Sequence, residues 1–388
     1  MRISIITGEY PPMQGGVGDF SRELAVALAD QGHAISVLTS RPDPSTTVSA
    51  HSDQRIQLNA SIRSWNAATF GTIQQWVAEQ RPDVINIQYE AAAFKMSQMI
   101  HLLPRLLRRY PVVTTYHDLL VPYLFPKAGS LRQQALLYVA QTSNAVIVTN
   151  RQDAQQLRSA PDIPSLHTIP IGSNISDQPP LDYDRATWRA QLGIPPDAIL
   201  AGYFGFLNVS KGIDILLNGV AGAVQQGLDL HLLMIGGNVG SSDASNATQV
   251  REVQALIRTL NLDSRVHWTG FVDNPLVSAN LHACDMLLLP YRDGVSYRRG
   301  SFMAGLTHGC AIITTQPQIA LPELRDGEQV RLIQPDAAQL TAAIRDLAAD
   351  PALRTKLGVQ ARELSLSFSW DRIAAQTIGV FEEAIRRH

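Results

Sequence analysis

A sustained alternation of short β-branched or apolar runs with longer helix-forming stretches constrains this chain more than any other feature. Such runs occupy 3–7, 35–39, 84–88, 112–116, 145–148 and 167–169, and a second set occupies 199–205, 230–236, 266–269, 286–290 and 311–315. Strands apolar on both faces suit a parallel sheet covered on both sides, and parallel neighbours need a long crossover, usually a helix. Between the first two runs Val17, Phe20, Leu24, Ala27 and Leu28 fall on one helical face, with Gly32 as a stop, completing one βαβ unit.

The segment 173–184, Ser-Asn-Ile-Ser-Asp-Gln-Pro-Pro-Leu-Asp-Tyr-Asp, is polar and proline-bearing and separates the two sets. A chain of 388 residues, 45% hydrophobic and 17% charged, is globular and too long for one ordinary core. The prediction is an α/β protein of two doubly wound, Rossmann-like domains, 1–177 and 178–369. The final helix, about 370–388, carries Ile373, Ile378, Phe381 and Ile385, an apolar face that suits either domain. In such sheets ligands bind beyond the carboxyl ends of the strands, so the loops there carry the candidate site.

The formal net charge of −2, with no long basic run, leaves no global field for nucleic acid or an anionic membrane. Cys284 and Cys310 have no metal-type spacing and read as buried packing in a reducing compartment. The chain opens Met-Arg-Ile-Ser-Ile-Ile-Thr, too short an apolar stretch for a signal peptide, and no run reaches the ~20 residues that span a bilayer. A soluble cytoplasmic protein is expected. Residues 95–110 mix Met96, Met99, Leu102, Leu103, Leu106 and Leu107 with Arg105, Arg108 and Arg109, a pattern open to peripheral membrane contact. The favoured reading is a crossover helix on the first sheet, interrupted at Pro104. Asp182-Tyr183-Asp184 has the spacing of a metal motif but lies in the connecting segment, where it reads as a solvated turn.

Five segments carry the chemistry. Gly15-Gly16-Val17-Gly18 lies between the first strand and first helix, where glycines let a ligand approach the backbone and the helix start supplies N–H donors. It lacks the dinucleotide spacing, and no acid closes the second strand. Gly205-Phe206-Leu207-Asn208-Val209-Ser210-Lys211-Gly212 holds the equivalent place in the second half, with Lys211 able to act as a point charge toward a diphosphate. Gly236-Gly237 closes the next strand as a third glycine turn. The segment 290–309 joins Asp293, Gly294, Val295, Ser296, Arg298, Arg299 and Ser301 to a small-residue helix, a strand-loop-helix corner suited to an anion. His117-Asp118 closes the strand 112–116, where imidazole can donate to a sugar hydroxyl or exchange a proton.

Taken in order, these placements resemble the retaining glycosyltransferases of family four, and the resemblance covers almost the whole chain. It implies the GT-B architecture, two facing Rossmann-like domains around a cleft, with the last helix returning to the amino-terminal, acceptor-binding domain. The other domain then binds the donor. It also implies that Gly15, Gly16 and Val17 lie near the donor phosphates, that His117 faces the sugar, and that Lys211 binds the diphosphate. Asp293 matches the acid against the transferred sugar, Gly294 with the backbone after it matches the phosphate-side loop, and Gly205 and Gly236 stand at donor-side turns. Ile169-Pro170-Ile171-Gly172 is similar to the family's Ile-Pro-Asn-Gly turn.

Two positions depart from the family pattern. Phe206 stands where arginine usually follows the glycine, a loss that by itself weakens donor binding about ten- to a hundredfold. Arg298 or Arg299 is the expected replacement, with bidentate reach to a diphosphate. Ser301 replaces the second acid and cannot accept from both ribose hydroxyls as a carboxylate does. The expected function is transfer of a sugar from a nucleotide-diphosphate donor to a hydroxyl of a glycan, lipid-linked or small-molecule acceptor, with retention, no cofactor and no metal. The alternatives are a non-catalytic paralogue or partner subunit of a transferase, and a sugar-nucleotide epimerase.

Overall fold

The structure is a computed structural model of the chain, and it describes residues 1–13, 15–43, 53–119, 129–205, 207, 209–236 and 245–388; the side chains of 129–132, 209 and 245–249 are likewise left aside. Phe206 and Gly237, both singled out above, lie outside the described residues. Two compact units are present, Met1–Gly172 with Phe368–His388, and Ser173–Ser367. The sequence places the junction at 177/178. In the structure Asp177 belongs to the second unit, where its Oδ1 accepts from His282 Nε2 at 2.5 Å and its Oδ2 pairs with Arg362.

The first unit holds strands β1 (Arg2–Thr7), β2 (Ala34–Ser40), β3 (Ile56–Ile62), β4 (Val84–Tyr89), β5 (Val112–Tyr116), β6 (Ala145–Val148) and β7 (Leu166–Thr168). They form one sheet in the order β3-β2-β1-β4-β5-β6-β7, and every pairing is parallel. Residues of β4, β5 and β6 are buried throughout, as expected of a sheet covered on both faces. The edge strand β3 was not read from the sequence, because its exposed Gln57 and Leu58 break the apolar run. The second unit holds β8 (Ile199–Phe204), β9 (Leu230–Ile235), β10 (Val266–Trp268), β11 (Met286–Leu289), β12 (Ile312–Thr315) and β13 (Arg331–Ile333), ordered β10-β9-β8-β11-β12-β13. The three-residue β13 was too short to stand out in the sequence.

The order reverses direction between β1 and β4 in the first sheet and between β8 and β11 in the second. Strands on either side of such a switch point send their crossovers to opposite faces, which opens a crevice at their carboxyl ends. The loops after β1, β4, β8 and β11 therefore surround the two crevices.

The helix Trp370–Arg387 packs within the first unit, where Ile373, Ala374, Val380, Phe381 and Ala384 join the core beside Ile3, Ile5 and Phe20. Of the four apolar residues read on this helix, Ile385 instead faces solvent at 36% exposure. The stretch 95–110 is not one crossover helix. Among its residues a 3₁₀ turn, Gln98–Leu102, gives way to a single helical turn, Leu103–Leu106, with Pro104 in its first turn. Proline lacks an N–H and clashes with the preceding turn, so it is tolerated only at such a start. Ile100, Leu103 and Leu107 are buried in the first core, so the apolar side of this stretch is used internally. Asp184 caps the helix Arg185–Gln191 by accepting from Thr187 N at 2.8 Å, while Asp182 is exposed to solvent. No helix among the described residues is long and apolar enough to cross a membrane.

Candidate functional site

At the second switch point, β8 ends at Phe204 and β11 at Leu289, and the chain leaving β11 turns at once through Tyr291 to Gly294. Tyr291 is fully buried and donates or accepts at Ser301 Oγ over 2.7 Å. Above its ring stand two cations: Lys211 Nζ lies 5.0 Å from the centroid and the Arg299 guanidinium 4.7 Å. Both distances fall within the range of cation–π attraction. Lys211 Nζ also donates to Ser301 Oγ at 3.5 Å, while Arg299 pairs with Asp293 and reaches Ser210 Oγ at 3.4 Å. Arg292 pairs with Asp214 on the outside of the same corner.

Local backbone geometry holds these groups in place. Gly212, at φ +67°, caps the helix Ile213–Gln225, and a Cβ there would lie 2.0 Å from the Pro290 carbonyl. Gly294, at φ +79°, passes so close to 316–318 that a Cβ would lie 2.5 Å from the Gln316 carbonyl. Only glycine takes both the left-handed backbone and the close approach. The N–H groups of Gly294 and Val295 donate to the Tyr291 and Thr315 carbonyls, and the Ser296 carbonyl accepts from Arg299 N. The sequence assigned this loop to a phosphate through its backbone. In the structure its first two N–H groups are engaged internally, and the positive charge of the corner comes from Lys211 and Arg299.

Asp293 pairs with Arg299, and its charge also acts on Lys211. Burial pushes the Lys211 ammonium down to about 8, helped by the charge of Arg299 and opposed by Asp293. Desolvation likewise pushes the Tyr291 phenol well above its ordinary value, so it stays neutral. A half-buried lysine beside an arginine is a site that an anion relieves.

At the first switch point the anion corner already contains a carboxylate. Glu9, two residues after β1, accepts from Val17 N at 3.0 Å and Gly18 N at 3.1 Å, at the start of the helix Gly16–Asp30. Desolvation raises the Glu9 carboxyl above its usual range, and those two N–H groups pull it back. Gly15 is adjacent because any Cβ there would meet the Glu9 carboxylate at 2.0 Å. Phe20, one turn into the helix, sets its ring edge-on against His117, with centroids 4.6 Å apart, and Trp370 packs on Phe20 from the other side. His117 follows β5 directly, its N–H donating to the Tyr89 carbonyl and its Nε2 lying 2.8 Å from Gln88 Oε1 at the end of β4.

Thus Lys211, Asp293, Arg299 and Ser301 form one cluster in the second unit, and His117 lies beside the start of the Gly16–Asp30 helix in the first. Gly205 stands beside Ser301, since a Cβ built on it would lie 3.8 Å from Ser301 Oγ. Gly236 is tied to the end of β10, donating to Thr269 Oγ1 at 3.1 Å and bridging to Gly270. Of the arginine pair, Arg299 is the member over Tyr291. Sequence reading missed Tyr291, Glu9 and Gln88, each within two residues of the end of a strand flanking a switch point, where the topology marks them. The described residues also gather Asp177, His282 and His308 within 4.8 Å of one another. Asp177 is paired to Arg362, and both ring nitrogens of His308 are engaged, by the Ala304 carbonyl and Ser278 Oγ, so this cluster reads as a structural network.

Comparison with known proteins places both units. Residues 14–177 match the family described as Glycosyltransferase Family 4, and residues 198–350 match Glycosyl transferases group 1. The chain is 28% identical over 206 residues to a D-inositol 3-phosphate glycosyltransferase of Streptomyces coelicolor, covering 53% of this chain and 44% of that one. It therefore spans about half the length of that relative and 46% of its Streptomyces avermitilis counterpart. A phosphatidyl-myo-inositol mannosyltransferase of Mycolicibacterium smegmatis is 24% identical over 392 residues, covering 98% of this chain and 94% of its own. Among solved structures, sucrose-phosphate synthase from Thermosynechococcus elongatus superposes with a TM-score of 0.75 at 23% identity, covering 100% of both chains. Anabaena HepE in complex with UDP and glucose gives 0.76 at 18% identity, covering 98% of this chain and 99% of that one. The fold is that of the GT-B proteins, two parallel-sheet α/β domains.

Proposed function

The chain belongs to the glycosyltransferases of family four, and on that premise we propose that it moves a sugar, with retention and without a metal, from a nucleotide-diphosphate donor to an acceptor hydroxyl. The observation that carries this reading is the pair of cations, Lys211 and Arg299, standing over Tyr291 at the carboxyl ends of β8 and β11, with Arg299 paired to Asp293. A diphosphate leaving group gains charge as the glycosidic bond breaks, and preorganised cations stabilise that charge more in the transition state than in the ground state. In this reading Lys211 and Arg299 hold the departing diphosphate and Asp293 lies toward the sugar, while its pairing with Arg299 keeps the guanidinium plane oriented. A diphosphate oxygen assists removal of the acceptor proton on the face it leaves.

Arg299 takes the place of the arginine that Phe206 lacks, which keeps donor affinity within the family's range. Ser301 is buried at 6% exposure and held by Tyr291 and Lys211, so ribose recognition falls to other groups. The relatives named for inositol phosphate and phosphatidyl-inositol put polyol hydroxyls, free or lipid-linked, first among acceptors to test.

A thermal-shift panel of UDP, GDP, ADP, CMP and polyprenyl-phosphate sugars tests the donor class. A ligand at a hundred times its Kd stabilises by ~2.7 kcal/mol, and one nucleotide diphosphate is expected to stand out. Turnover in excess chelator tests the metal-free chemistry. Activity abolished by chelator and restored by Mn²⁺ refutes it, and tight nucleotide binding with no turnover on any acceptor points to a non-catalytic paralogue.

A further inference from the structure

Four polar groups run in a line through the first sheet to His117. Asn86 and Gln88, both on β4 and both fully buried, lie on successive same-face positions of that strand. Asn86 Nδ2 approaches the Val113 carbonyl at 3.1 Å and Thr115 Oγ1 at 3.0 Å. Asn86 Oδ1 is bonded to Gln88 Nε2, and Gln88 Oε1 lies 2.8 Å from His117 Nε2.

The direction of every bond in this line follows from its far end. A backbone carbonyl has lone pairs and no proton, so the Asn86 atom facing Val113 must be the amide nitrogen. Its oxygen then faces Gln88 and can only accept, which makes the facing Gln88 atom the nitrogen. The Gln88 oxygen is left for His117, and an oxygen acceptor requires a proton on Nε2. We propose that the Val113 carbonyl, acting through Asn86 and Gln88, fixes His117 in the Nε2–H form and makes Gln88 a positioning residue of the site.

The consequence is chemical. His117 keeps its Nε2 proton whether the ring is neutral or charged, so a proton exchanged with a ligand moves at Nδ1. Of the two roles the sequence left open for this imidazole, donation to a hydroxyl or proton exchange, an Nε2–H ring supports the exchange, with donation at Nδ1 confined to the charged ring. The edge contact from Phe20 and the sheet-bound Nε2 together fix the plane of the ring. The catalytic value of this arrangement rests on the transferase reading, but the tautomer does not.

The test uses the full chain labelled with ¹⁵N-histidine. Long-range ¹H–¹⁵N correlation of neutral His117 is expected to show the proton on Nε2 in the wild type and in Gln88→Glu, which keeps the acceptor. Gln88→Met removes the acceptor and is expected to give a mixture of tautomers with kcat/KM about tenfold lower, the loss falling mainly on kcat. Asn86→Leu, which does not touch His117, is expected to release the tautomer in the same way by freeing Gln88 to flip. A wild-type spectrum with the proton on Nδ1, or an unchanged Nε2–H tautomer in a folded Gln88→Met chain, overturns the proposal. Should Gln88→Met and Asn86→Leu not fold, the wild-type spectrum still decides it. A chain that transfers no sugar yet shows the Nε2–H signature refutes only the function, and active enzyme with the other tautomer refutes only this device.

Discussion

Lys211 gives the sharpest prediction, because its titration is coupled to the event it is assigned to catalyse. In the free protein its ammonium titrates at about 8, lowered by burial and by Arg299. At pH 8 about half of the chains therefore carry a neutral Lys211, against roughly a tenth at pH 7 and nine-tenths at pH 9. A diphosphate seated against the amine raises its pKa, since an opposite charge favours the protonated form. Binding of a nucleoside diphosphate should then take up about half a proton at pH 8, and its apparent Kd should rise about fivefold between pH 8 and pH 9. Isothermal titration calorimetry in two buffers of different ionisation enthalpy reads the uptake directly. Lys211→Arg is the control, because a guanidinium stays protonated across this range. Equal proton uptake in the wild type and Lys211→Arg, or none in the wild type, refutes the placement of the diphosphate at Lys211.

Three further outcomes are expected. Arg299→Ala should weaken nucleoside-diphosphate binding roughly tenfold and move the Lys211 midpoint above 8, because the Arg299 charge is one of the causes that lower it; an unmoved midpoint separates the two cations. Gly294→Ala should cost roughly 1–3 kcal/mol in urea denaturation, since it combines a left-handed backbone with a Cβ 2.5 Å from a carbonyl oxygen; a loss under about 0.5 kcal/mol contradicts that geometry. His231, stacked on His267 with 2.8 Å between their nitrogens, has its pKa lowered by burial. Its neutral form is preferred in the fold, so the stability it contributes is full above about 6.5 and lost as pH falls below that. The wild type should lose more Tm between pH 7.5 and 5.5 than His231→Gln, and equal losses refute it.

Much of the fold was legible because parallel strands buried on both faces leave uninterrupted apolar runs, such as Met286–Leu289 and residues 232–235. Strands lacking that signature were missed: β3, half-exposed at an edge, and β13, three residues long. Pro104 was recognised as an interruption, yet the turn it starts, and the 3₁₀ segment before it, depend on packing that periodicity does not encode. In the site, Lys211, Asp293 and His117 stood out because chemistry-bearing residues at the carboxyl ends of strands are conspicuous in this architecture. Tyr291 and Gln88 carry no such mark in the sequence, and their placement emerged only when the sheet order set β11 beside β8 and β4 beside β5. Glu9 was hidden for a different reason: a carboxylate eight residues before the helix N–H it caps has no local sequence signature.

Transfer of a sugar with retention, from a nucleotide-diphosphate-sugar donor whose leaving diphosphate Lys211 and Arg299 stabilise, has a stereochemical signature. Its most direct test follows the anomeric carbon by NMR, using the donor selected by thermal shift and a polyol acceptor, while the released nucleotide is quantified. One nucleoside diphosphate released per bond formed, a product with the anomeric configuration of the donor, and turnover at least tenfold lower in Lys211→Ala are expected. An inverted product, or transfer that proceeds at the wild-type rate without Lys211, contradicts it.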